Sequence, residues 1–143
     1  MVEVGRKPEV LRNATAEGRL LLQPGTIAEI RAGTTKKGDP IATARVAAIQ
    51  AVKETPRLLP LCHPIPITGV ETALTVEDDG VTATVTVSAV YRTGVEMEAL
   101  TAVSTALLTV WDMTKYLEKD AGGQYPSTRI ENLHVVEKVK VTE

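Results

Sequence analysis

The segment LCHPIPITGV places the only cysteine, Cys62, beside one of the two histidines, His63, and two prolines follow. Such a pair could bind a metal, form a nucleophile with its base, pack as ordinary core, or contact a substrate. Zinc needs three or four ligands, and the sequence adds only His134 and scattered carboxylates. A Cys–His catalytic pair needs contact between its side chains, but neighbours in an extended segment point to opposite sides. We therefore expect neither a metal site nor a thiol nucleophile, which leaves packing and substrate contact.

A second set of chemically capable residues follows one stripe of the segment VEMEALTAVSTALLTVWDMTKYLEK. On a helix, Glu98, Thr101, Thr105 and Asp112 fall within about 60° of one another. Lys115 lies one turn beyond Asp112, close enough to interact with it. The other faces are apolar, which favours a stripe that lines a cleft or a subunit interface over a solvated surface.

The spacing within this stripe limits what one chain can do. Glu98 and Asp112 are separated by about 21 Å along a helix axis, too far for one small ligand. If both carboxylates serve one site, we expect them to come from different chains.

Periodicity and punctuation predict the elements that position these residues. In order, they are an extended segment over 10–22, a helix from Pro24 to a stop at Gly33, a helix from Asp39 to an end at Pro56, two strands joined at Asp78-Asp79-Gly80, a helix from Val95 to Lys119, and a strand over 129–141. This βαββαβ order predicts a ferredoxin-like α+β sandwich, with an antiparallel sheet and helices on one face. The open sheet face would need a cover, so we expect an oligomer.

The last strand alternates with period two. The pattern predicts that Leu133, Val135, Val139 and Val141 point to one side, and His134, Val136, Lys138 and Lys140 to the other.

Composition narrows the class of protein. The 143 residues fit a single domain over 1–143, with 1–9 as a loose lead-in. Aromatic residues make up 3% and the net charge is −2, which argues against nucleic-acid binding. A single cysteine forms no internal disulfide, and no segment has the length and apolarity of a signal peptide or a membrane span. We expect a cytoplasmic protein without a membrane partner.

Three long motifs, KKGDPIATARVAAIQAVK, LPLCHPIPITGVE and TGVEMEALTAVSTALLTVWDMTK, resemble the molybdenum cofactor biosynthesis protein C (MoaC) family. This resemblance implies a lyase, cyclic pyranopterin monophosphate synthase. Its substrate would be 3′,8-cyclo-7,8-dihydroguanosine 5′-triphosphate, and pyrophosphate would be released as the cyclic phosphate closes. It also implies a ferredoxin-like subunit, a hexamer built from dimers, and active sites at subunit interfaces. No cofactor is implied, and whether magnesium accompanies the triphosphate is left open.

The resemblance carries roles onto matching positions. The catalytic residues would be Lys37, His63, Asp112 and Lys115. The substrate-binding residues would be Leu61, Cys62, His63, Glu96, Met97, Glu98 and Lys138. The chain departs from bacterial members in its WDMTK element, in an added GGQYPSTRIE before the last strand, and in the missing Gly/Ser/Lys-rich tail.

The chemistry agrees with these assignments. A carboxylate and an amine held together, such as Asp112 and Lys115, can transfer protons, and Lys37 can stabilise a leaving pyrophosphate. The two glutamates would accept hydrogen bonds from guanine-like donors. The alternative is a non-catalytic ferredoxin-like module for ligand binding or assembly, which would have no reason to keep these groups together.

Overall fold

Four strands and three helices make up the chain in the computed structural model, which describes residues 1–142. The elements are β1 (Val10–Leu21), α1 (Pro24–Ala32), α2 (Pro40–Leu58), β2 (Ile67–Glu77), β3 (Gly80–Tyr91), α3 (Glu96–Glu118) and β4 (Arg129–Val141). The sheet order is β2-β3-β1-β4, and all neighbouring strands are antiparallel. The predicted ferredoxin-like α+β arrangement is therefore confirmed.

Small side chains bring α3 close to the two central strands. Ala14 and Ala16 of β1 face Ala102 and Ala106 of α3 within one buried core. A Cβ atom at Gly18 would lie 3.0 Å from Val103 Cγ1, so glycine is needed where the helix meets the strand. This core holds α3, which carries half of the predicted site residues, firmly against the sheet.

The opposite sheet face is polar. Its side chains bond to one another across β1 and β3: Thr15 and Thr86 share a 2.8 Å hydrogen bond, and Thr84 donates to Glu17 at 3.0 Å. These polar groups are satisfied within the sheet, whereas Leu11, Val90 and Val141, which lie opposite one another at one end of the same face, are exposed. The oligomer expected from the sequence stays a prediction.

Two predicted helices, α2 and α3, have ends that differ from the structure. Pro56 does not end α2 but lies inside its last turn, where its missing N–H removes a single helical bond. Leu59 N still donates to Thr55 O at 2.9 Å, and this bond closes the turn across the proline. The α3 helix begins and ends one residue inside its predicted bounds.

The predicted alternation of β4 is wrong because its pairing with β1 shifts register at two places, and the shift between Thr15 and Ala16 is a β-bulge that reverses the phase. Residues directly opposite each other in antiparallel strands share a face. Ala14 and Ala16, both on the helix side, lie opposite Lys138 and Val135, which leaves Val136 as the extra residue. Val135 and Lys138 therefore share the helix side instead of opposite faces, as a bulge reverses the phase of the strand.

The end of α3 is tied to α1 by a fully buried carboxylate. Glu118 accepts hydrogen bonds from Gln23 N at 3.0 Å and from the hydroxyls of Thr26 and Thr128. Gln23 is the N-cap of α1 and makes no side-chain cap of its own, so Glu118 supplies the missing acceptor. The start of α1 is thereby fixed against the end of α3 on which Asp112 and Lys115 lie.

Candidate functional site

Five of the predicted site residues border one cavity of about 320 Å³ at the amino end of α3. They are Leu61, Cys62, His63, Glu96 and Met97. Leu61 lies in a turn and the next residues are irregular, so the segment is not a strand. Cys62 and His63 both border this cavity, and the expectation that their side chains face opposite sides stays a prediction.

The thiol of Cys62 is poorly suited to nucleophilic attack. Burial, with the nearby charges of Glu98 and Glu96, raises its pKa, which keeps the thiol protonated at neutral pH. A nucleophilic cysteine needs the opposite shift, towards the thiolate. His63 therefore carries the polar chemistry of this segment.

The cavity also includes the amino-terminal segment. Residues 1–9 form no helix or strand, but Val4 is buried, and Val2, Val4 and Lys7 border the cavity. Sequence reasoning missed Lys7, because nothing in a lead-in without periodicity indicates that it folds back over the LCHP segment.

Glu96 lies beside the lysine that the β-bulge turns towards α3. Lys138 Nζ is 3.3 Å from Glu96 Oε1, while Glu96 Oε2 is buried without a hydrogen-bond partner among residues 1–142. The structure thus brings Lys138 to the predicted site, and half of the Glu96 carboxylate is left to accept from a ligand.

Glu98 is the most deeply buried of the predicted site residues, with 1% exposure. Neither carboxylate oxygen has a hydrogen-bond partner in the described part of the chain. Burial raises the pKa of this carboxyl, and Glu96 raises it further. The side chain borders a second cavity of about 250 Å³, together with Lys53 and Pro64, so Glu98 and His63 open onto different cavities.

We predict that Glu98→Gln stabilises the protein at alkaline pH. The pKa of Glu98 is raised on folding, so the folded state binds more protons and the wild type loses stability as pH rises above about 4.3, the usual value for Glu. The variant lacks this loss, and its free energy of unfolding should exceed that of the wild type by about 1–2 kcal/mol at pH 8. Near pH 4 the difference should vanish in urea unfolding curves.

The matched control is Glu137→Gln, which changes an exposed glutamate on β4. It should leave the unfolding curve within about 0.5 kcal/mol of the wild type. A lower stability of Glu98→Gln at pH 8 would contradict the prediction and would mean that a cation pairs with Glu98 in solution.

A separate cluster lies near the other end of α3. Asp112 lies between two ammonium groups: Lys115 Nζ is 3.1 Å from Oδ1, and Lys37 Nζ is 3.3 Å from Oδ2. Lys37 Nζ also donates to the backbone oxygen of Asp112 at 3.3 Å. Lys115, then Lys37, lowers the pKa of Asp112, so this carboxylate is ionised at neutral pH.

The turn before α2 presents Lys37 to this cluster. Gly33 and Gly38 adopt positive φ angles of 72° and 110°, which form a tight connection between α1 and α2. Asp39 caps α2 by accepting from Ile41 N and Ala42 N. Because the cap already occupies these amides, the start of α2 is a weak anion site, and Lys37 is the group of this turn that can attract phosphate.

The predicted residues therefore form two groups on one chain. Lys37, Asp112 and Lys115 are brought together, and the other predicted residues collect about 21 Å away along α3. The first group is half exposed, with 48%, 59% and 43% of the three side chains accessible. Each group alone contains only part of the residues expected in the active site.

Two further properties bear on the kind of protein. No group of three His, Cys, Asp or Glu side chains within residues 1–142 is arranged to hold a metal ion. No helix in the same range has the length and apolarity to cross a membrane.

Fold and site together define a ferredoxin-like protein with paired carboxylate and ammonium groups, as expected for acid–base chemistry on a small anionic molecule. The chain belongs to the MoaC family, whose profile matches residues 1–140. A relative from Thermococcus onnurineus, named probable cyclic pyranopterin monophosphate synthase, is 63% identical over 98% of this chain and 90% of its own length. One of the same name from Thermococcus kodakarensis is 62% identical over 100% and 92%. A third, from Methanothermobacter thermautotrophicus, is named probable cyclic pyranopterin monophosphate synthase accessory protein and is 55% identical over 99% and 89%.

Proposed function

We propose that this chain is a cyclic pyranopterin monophosphate synthase, a lyase of molybdenum cofactor biosynthesis. It converts 3′,8-cyclo-7,8-dihydroguanosine 5′-triphosphate into cyclic pyranopterin monophosphate and pyrophosphate. Family membership over residues 1–140 and the names of relatives at 62–63% identity support this activity. The observation that carries it is the ionised Asp112 held between Lys37 and Lys115.

This cluster can provide proton transfer and charge stabilisation. Asp112 is ionised and can accept a proton from the substrate, and Lys115 can return one. Both residues lie on α3, which holds the two groups in fixed positions. As the cyclic phosphodiester closes, the bond between the α-phosphorus and the departing oxygen breaks and negative charge grows on pyrophosphate. Lys37 stabilises that charge from its turn before α2.

The two cavities that Glu96 and Glu98 border, at the other end of α3, recognise the base. Glu98 and Glu96 offer buried carboxylate oxygens that lack hydrogen-bond partners between residues 1 and 142. Such oxygens suit the amino and N–H donors of a guanine-like ring. A buried oxygen without a hydrogen bond costs free energy, and a ligand donor that binds there removes this cost. His63 borders the cavity that contains Glu96, where it hydrogen-bonds the ligand or moves a proton, with Leu61, Cys62 and Met97 as the walls of that cavity.

The active site is completed by two chains. The catalytic cluster is half exposed, although charge stabilisation of this kind works best where water is excluded. The distance of about 21 Å along α3 prevents one small substrate from reaching both groups of one chain. A second copy that places its cavity over the cluster would exclude water and would bring the two groups within reach of one substrate. A hexamer of dimers is the assembly that the family resemblance implies.

The reaction needs no resident cofactor, and magnesium bound to the triphosphate is compatible with the half-exposed cluster. The cytoplasmic location expected from the sequence stays a prediction.

The test is an assay of the purified protein with the cyclic dihydro-GTP intermediate. We expect cyclic pyranopterin monophosphate and pyrophosphate in equal amounts. Absence of turnover would favour the second candidate, a non-catalytic module, which the accessory-protein name of the Methanothermobacter relative also suggests. That candidate predicts binding of the intermediate without product.

A further inference from the structure

The turn that carries Lys37 is held together by its own hydrogen bonds. The Thr35 hydroxyl donates to Gly38 O at 2.5 Å, and Gly38 N donates back to Thr35 O at 3.3 Å. These bonds give the turn its shape. They do not attach it to α3, where Asp112 lies.

Attachment to α3 comes from Tyr116. Its hydroxyl accepts a hydrogen bond of 2.9 Å from Lys36 N, and the Lys36 ammonium lies 4.8 Å from the centre of its ring. Tyr116 follows Asp112 by four residues, so the two side chains lie on the same face of the helix. Tyr116 therefore binds Lys36, the residue next to Lys37. This contact lies one helical turn from Asp112, to which Lys37 donates a hydrogen bond.

The ion pair between Lys37 and Asp112 is too weak to fix the turn alone. Both side chains are about half exposed, and pairs of that kind contribute about 0–1 kcal/mol. A lysine side chain also has many rotamers, so its ammonium is confined only if its backbone is confined. The bond to Lys36 N confines that backbone at the adjacent residue.

We propose that Tyr116 is a positioning residue, which holds the Lys37 turn against α3 so that the Lys37 ammonium stays beside Asp112. Within residues 1–142 Tyr116 makes no hydrogen bond to the Asp112 carboxylate, so it acts through the Lys37 turn. This role rests on the proposed function in one respect, since the catalytic use of Lys37 is part of that function. The anchoring of the turn can be tested without it.

The test compares Tyr116→Phe with Tyr125→Phe. Both remove one hydroxyl and keep the ring, but the Tyr125 ring packs against Trp111 and its hydroxyl makes no hydrogen bond within residues 1–142. Amide hydrogen exchange is followed for residues 33–39. We expect exchange at Lys36 to rise about three- to tenfold in Tyr116→Phe and to stay unchanged in Tyr125→Phe, with both variants folded by circular dichroism. Unchanged exchange in Tyr116→Phe would overturn the anchoring.

Kinetics test the consequence for catalysis. If Lys37 acts on charge that develops in the transition state, Tyr116→Phe should lower kcat and kcat/KM together by about three- to tenfold, with KM unchanged. In a Lys37→Met background the same change should have no further effect, because the positioned group is gone. An equal loss in both backgrounds would overturn the proposal, since it would mean a structural effect unrelated to Lys37. A wild type without turnover would refute the proposed function, and the exchange experiment would still decide the anchoring.

Discussion

Asp112→Asn is expected to lower turnover of the cyclic dihydro-GTP intermediate by about 10²–10⁴-fold, the range typical of a general acid or base. Asparagine has the same shape but cannot accept a proton at neutral pH, and it removes the negative charge that orients two ammonium groups. The carboxylate is 3.1 Å from Lys115 Nζ and 3.3 Å from Lys37 Nζ. Its loss leaves these cations close together without a counter-ion. Product formation at saturating substrate measures the effect.

The fold should survive this substitution because the Asp112 side chain is 59% exposed and its ion pairs lie at the surface. Asp78→Asn is the matched control: Asp78 pairs with Arg31 at 3.1 Å in the exposed β2–β3 turn, far from the predicted site in sequence and role. It should retain wild-type turnover. Full activity of Asp112→Asn would remove this carboxylate from the mechanism.

Local sequence signals predicted helix ends and turns well where the structure depends on a few adjacent residues. The Gly33 stop, the Asp39 cap and the Asp78-Asp79 turn each follow from the chemistry of a few adjacent residues. The phase of β4 did not follow, because the bulge at Val136 depends on pairing with β1, which lies more than a hundred residues earlier. Periodicity within a strand carries no information about a residue inserted against its partner.

In the candidate site, too, local contacts could be predicted from the sequence and tertiary contacts could not. Helical spacing predicted the contact between Asp112 and Lys115, and the same rule applied to Tyr116 would have placed it beside them. Lys37 came only from the family resemblance, since the turn that brings it to α3 is a tertiary feature. The helical stripe predicted that Glu98 lines a cleft or an interface, but it could not show which elements cover the carboxylate or that it is almost fully buried within one chain.

Mixing two inactive variants is expected to restore activity if sites form between chains. His63→Gln damages the cavity and Asp112→Asn damages the cluster, and each alone should lose most turnover. In a mixed dimer, one site then receives both damaged groups and the other receives neither. Random assortment makes about half of the dimers mixed and about half of their sites intact, so about one quarter of wild-type activity should return in the unfractionated mixture and about one half in isolated mixed dimers.

The control pair is Asp112→Asn with Lys115→Met, both in the cluster on one helix. Every hybrid site then contains one damaged cluster, and mixing should restore nothing. The variants are refolded together with different affinity tags, and tandem purification isolates the mixed oligomers for assay. If isolated mixed oligomers of the His63 and Asp112 variants stay inactive, the two groups serve one site from the same chain or do not share a site. Restoration in that pair alone would mean that the distance of about 21 Å along α3 is bridged by the juxtaposition of two subunits.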